Sequence, residues 1–153
     1  MEKIAGSDYT AMIEVAKPPT EVYNCITADV AKWWGGNDLE GSSRQLNDEF
    51  TIHHPQAHYS KQIVVELIPA KSVVWLVLES HLHWLTRDPH EWTRTKMLFE
   101  LRGDDDGTVL HFTHQGLTPD KECYEACSQG WNMVIKDWLF HYITEGTAHF
   151  PVL

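Results

Sequence analysis

The chain has 153 residues, 42% of them hydrophobic and seven of them tryptophan, which fits one globular domain spanning 1–153 that needs no metal or disulfide staple. A formal net charge of −10 repels phosphate backbones and anionic lipid, so nucleic-acid and membrane partners are not expected. Three cysteines (Cys25, Cys123, Cys127) do not make a secreted disulfide framework. No apolar run follows Met1-Glu2-Lys3, and the apolar stretch 73–78 is too short to span a bilayer, so a cytoplasmic setting is expected.

The first element is a strand over 9–15, with Tyr9, Ala11, Ile13 and Val15 on one face. Pro18-Pro19 stops it, and 21–26 carries Val22, Cys25 and Ile26 at helical spacing. Asp29 opens a second short helix over 30–34, which Gly35-Gly36 should end. Residues 37–48 are polar and read as loop. A strand over 49–54 is closed by Pro55, and His53, His54 and His58 around it read as exposed.

The next strand, 60–68, places Ile63, Val65 and Leu67 on one face, with Glu66 one position off it. After the turn Pro69-Ala70-Lys71 comes a strand over 72–79, apolar on both faces as suits a sheet centre. Residues 80–94 hold His81, His83, Trp84, His90 and Trp92 around Asp88-Pro89, and read as strand end, loop and strand start. Strands over 95–102 and 108–115 flank a tight turn near Asp105. From 121 to 144 the period becomes helical, with Tyr124, Cys127, Trp131, Ile135, Trp138 and Tyr142 on one stripe and Gly146 as the stop. Strands flanked by helices indicate an α+β fold rather than an alternating one.

Four segments carry a family resemblance. They are Pro19-Thr20-Glu21-Val22-Tyr23 with Trp33-Trp34-Gly35; Val65-Glu66-Leu67-Ile68-Pro69 with Val73-Val74-Trp75; Gly107-Thr108-Val109-Leu110 with Thr113-His114-Gln115-Gly116-Leu117; and Gly130-Trp131 with Trp138-Leu139 and Gly146. In this order they resemble the START-like (SRPBCC, helix-grip) superfamily, and within it the family of the activator of heat-shock protein 90 ATPase homologue. The resemblance implies a curved antiparallel sheet wrapped around a long C-terminal helix, with two short helices after the first strand and a cavity between sheet and helix. It also implies a small hydrophobic ligand or a chaperone partner, and superfamily members include enzymes acting on polyketides.

The expected cavity lining is Trp75, Met97, Phe99, Trp131, Ile135 and Trp138, since pockets are built mainly of apolar and aromatic side chains. His81, His83 or His114 would orient a polar group, because a neutral imidazole both donates and accepts. No metal or cofactor is expected. His111 and His114 point to opposite strand faces, Cys123 and Cys127 match no zinc arrangement, and the aspartates before Gly107 are too few for a calcium loop. Gly-x-Ser-x-Gly, phosphate-loop and dinucleotide motifs are absent, so no catalytic residue is assigned.

Overall fold

The computed structural model describes residues 7–34, 38–54 and 58–148. Strand β1 (Tyr9–Val15) alternates buried and exposed residues at period two. Helix α1 (Pro19–Ala28) begins with proline at its first position, where the missing N–H costs nothing. Helix α2 (Val30–Trp33) follows directly, burying Val30 and Trp33. The expected Gly35-Gly36 stop and Pro55 closure lie outside the described residues.

Seven strands form one antiparallel sheet in the order β1-β7-β6-β5-β4-β3-β2. Strand β2 (Asp38–Gly41) falls where a loop was expected. Its polar residues pair only with β3 (Glu49–His54) at the sheet edge, so no buried face marked it as a strand. Strands β4 (His58–Ile68) and β5 (Ser72–Leu82) pair across two register shifts, between Lys61 and Gln62 and between Val64 and Glu66. Such bulges bend a strand and increase twist, which curves the sheet toward its helix.

The facing of β4 differs from the expected one, and the bulge at Val65 returns only Leu67 to the core side. Ile63 and Val65 turn outward, and the inner face reads Ser60, Gln62 and Val64, all buried. Glu66 is exposed, where it accepts a hydrogen bond from the Ser72 hydroxyl. Strands β6 (Lys96–Asp104) and β7 (Gly107–Gln115) form the expected hairpin, with Asp104 opposite Gly107 and Asp105-Asp106 as its turn.

The C-terminal helix runs as α3 (Tyr124–Trp131), a π-helical segment Asn132–Leu139 and α4 (Phe140–Glu145). The stripe from the sequence packs inward: Cys127, Trp131, Ile135 and Trp138 are buried, while Tyr124 and Tyr142 are partly exposed. Val134 and Leu139, five apart in the π-helical segment, are buried beside them. Two tyrosines pin the helix. Tyr9 donates to Asn132 Oδ1, and Tyr142 donates to Asp29 Oδ2 at 2.8 Å. Among the described residues, no helix is long and apolar enough to cross a membrane.

Candidate functional site

The concave face has two unlike halves. In the closed half, Trp75 is fully buried, stacked against Trp33 at 6.4 Å and edge-on to Phe50 and Phe99 at 4.9 and 4.8 Å. Phe99 continues the layer to Phe112 at 5.0 Å. Rings in these offset and edge geometries fill space without voids.

The other half opens into a cavity of about 180 Å³ beside the start of the C-terminal helix. Leu82, Trp84 and Trp92 form one wall, Cys127, Trp131 and Val134 another, and Trp34 and His58 a third. Most of these side chains are buried and apolar, but Trp84 is 44% exposed. The segment 83–94 is held over the cavity by two carboxylates. Glu91 accepts the backbone N–H groups of Glu122 and Cys123, both at 3.0 Å, capping the entry to the helix. Glu122 in turn accepts from the N–H groups of Thr86 and Arg87 and from the Thr86 hydroxyl, and these bonds hold its carboxyl down at about 2.

Buried polar groups cross this half. Trp131 donates its indole N–H to His114 Nδ1 at 2.9 Å, so Nδ1 is the acceptor and Nε2 carries the proton. Nε2 bonds Thr95 Oγ1 at 2.8 Å, and Thr95 donates to the Trp92 carbonyl. Gly116 permits this closeness: its φ is +102°, and a Cβ there would sit 2.7 Å from Thr95 Cγ2. His114 is fully buried, and desolvation pushes its pKa down to about 3, so the ring is neutral. His58 bonds Ser60 Oγ at 2.8 Å and is likewise pushed to about 3, chiefly by burial and further by His54 and His83. Cys123 and Cys127 share a hydrogen bond that pushes Cys123 up and Cys127 down, and the Trp92 indole also faces the Cys127 sulfur.

The expected site residues separate into three groups. Trp131 lines the cavity. Trp75, Met97, Phe99, Ile135 and Trp138 are buried in the layer behind it. His114 sits in that layer with both ring nitrogens bonded to protein. His81 and His83 lie at the surface, bonded to each other; His81 faces away from Leu82, into a groove with Tyr59, Glu79 and His90. Sequence reading missed Trp34, His58, Leu82, Trp92 and Cys127 as wall residues. The usable signal was the segment 80–94, which sets Trp84 and Trp92 among histidines.

A curved sheet closed by one long helix over a cavity defines a helix-grip protein. The sequence profile described as Activator of Hsp90 ATPase homolog 1-like protein matches residues 16–143, and the chain belongs to that family. The structure is similar to the solution structure of the Aha1 dimer from Colwellia psychrerythraea, with a TM-score of 0.70, 20% identity, and 91% of this chain and 97% of that one covered. Protein MLL2253 from Mesorhizobium loti gives a TM-score of 0.66 at 19% identity, covering 88% and 95%. DynU16, a protein of the dynemicin biosynthetic locus, gives 0.65 at 16%, covering 92% of this chain and 48% of its own. No curated protein sequence matches significantly.

Proposed function

We propose that the chain binds a small, largely apolar molecule in the cavity beside its C-terminal helix, without transforming it. The observation that carries this reading is the cavity itself, about 180 Å³ with tryptophan on three sides. An engineered apolar cavity of about 150 Å³ holds benzene, so a single-ring molecule is the natural size of occupant. Trp131 contacts the molecule directly, while Trp75, Met97, Phe99, Ile135 and Trp138 stiffen the layer behind. His58 is the imidazole placed to meet a polar group, and because burial keeps it neutral it both donates and accepts. Three free cysteines suit a reducing cytoplasm.

Native mass spectrometry of freshly purified protein tests this. A bound species of small, discrete mass, lost on Trp131→Ala, is the expected result. Bare protein that also fails to take up any added single-ring compound overturns it.

A chaperone co-factor role is the second reading, favoured by the family's description and by the likeness to the Aha1 dimer. It would use the outer surface, and an ATPase assay with added chaperone separates the two. A cavity enzyme acting on an aromatic or polyketide-like substrate would have to work through His58 or Cys127, the titratable groups on the cavity wall.

A further inference from the structure

We infer that Gln62 is the polar anchor of the ligand site, and that its ligand is a neutral ring compound bearing an adjacent hydrogen-bond donor and acceptor, of the carboxamide kind. This rests on the cavity reading above and adds to it the chemistry of the ligand's polar end.

The inner face of β4 carries a polar row that ends at an apolar residue: His58, Ser60, Gln62, then Val64. The row starts at the cavity wall with His58 and runs inward. Its first two members are bonded to each other, and Ser80, opposite Ser60 on β5, is bonded to Thr93 at 2.8 Å. Gln62 differs. Its side chain is fully buried, yet neither Oε1 nor Nε2 has a partner among the described residues. The indole N–H of Trp75, on the adjacent strand, is also fully buried and unpartnered. Trp75 lies opposite Val64, the next inward residue after Gln62, and Phe50, opposite Gln62 on β3, packs on Trp75. Two donors and one acceptor are therefore buried unmade in one neighbourhood, which forfeits their full desolvation. Leucine would fill the same space without that loss.

One ring separates Trp75 from the cavity. Trp34 lines the cavity and stacks on Trp75 at 6.3 Å with only 5° between the planes. Rotation of Trp34 away from Trp75 joins the cavity to Trp75 and Gln62. A carboxamide then matches what is offered: its N–H meets Oε1, and its carbonyl accepts from Nε2 and from the Trp75 indole. The group is neutral because no lysine or arginine is among the buried residues described, and His58 and His114 are uncharged near neutrality.

Benzamide and its apolar isostere α-methylstyrene are the probes, titrated by calorimetry into wild type and Gln62→Leu, with Gln62→Met as a second variant of conserved volume. The expected result is that both variants weaken benzamide by about tenfold or more, leave α-methylstyrene unchanged or tighter, and raise the unliganded melting temperature. Equal benzamide affinity in wild type and variants overturns the anchor, as does a lowered melting temperature in both. If α-methylstyrene binds wild type and benzamide does not, the anchor alone fails. If neither binds, the cavity reading fails and takes the anchor with it.

Discussion

The two halves of the concave face differ in how they are held. Around Trp75 the layer is ring against ring, with Trp33 also tied by its indole N–H to the Cys25 carbonyl. Around the cavity the walls are aromatic too, but hydrogen bonds hold them: Trp131 through His114 and Thr95, and the 83–94 segment through Glu91 and Glu122. A hollow loses the packing that would otherwise position its walls, so polar bonds take over that task. The cavity half should therefore respond to pH and to single hydrogen-bond deletions, and the closed half to volume.

The largest effect should come from the closed half. Trp75→Ala should cost about 3–5 kcal/mol in urea denaturation. Trp131→Ala should fall in the same range although Trp131 lines the cavity. It is 2% exposed, contacts Phe112 at 4.5 Å and Trp34 at 5.1 Å, and its loss strands His114 Nδ1. A small loss at Trp131 would mean that these contacts do not hold the wall.

The second effect is pH dependence. An unfolded histidine titrates near 6.5, while His114 in the fold titrates at about 3. Below 6.5 the unfolded chain takes up a proton that the folded one refuses. Stability is thus complete above 6.5 and falls with decreasing pH by about 1.4 kcal/mol per unit until about 3. At pH 5 the loss from His114 alone is about 2 kcal/mol. His114→Gln should be less stable at pH 7 but show a flatter profile between pH 7 and 5. Parallel profiles would remove His114 as the cause.

Glu91→Ala comes next, with a loss of about 0.5–2 kcal/mol typical of a removed helix cap. Its sharper signature is faster amide exchange across 83–94, with β6 and β7 unchanged. Glu66→Ala is the smallest, within about 0.5 kcal/mol, since that carboxylate is exposed. A larger loss would mean that β4 is turned the other way.

The elements were legible in the sequence, but not which half of the concave face is hollow: Trp75, Met97 and Phe99 were expected to line the cavity and are packed core. Alternation in 95–115 and helical spacing in 121–144 each have a single buried face, so period alone set the β6–β7 hairpin and the Trp131 stripe. Strand β4 defeated the same reasoning. Its inward residues Ser60 and Gln62 are polar while outward Ile63 and Val65 are apolar, so hydrophobicity marked the wrong face, and a bulge at Val65 then broke the alternation. His58 was read as an exposed loop residue beside Pro55, and its packing against Trp92 at 4.7 Å depends on a contact with a residue 34 positions away. His114 was expected to meet ligand, but its ring is taken up by Thr95 across the hairpin and by Trp131 of the C-terminal helix, a contact that the strand pattern does not contain.

The most direct test of a ligand cavity is a titration of ¹⁵N-labelled protein with α-methylstyrene, following the seven tryptophan indole N–H resonances. The expected result is saturable shifts at Trp34, Trp84, Trp92 and Trp131, which line the cavity, with Trp33 moving least. Shifts that fail to saturate, or that appear at Trp84 alone because it is exposed, would contradict a cavity that binds.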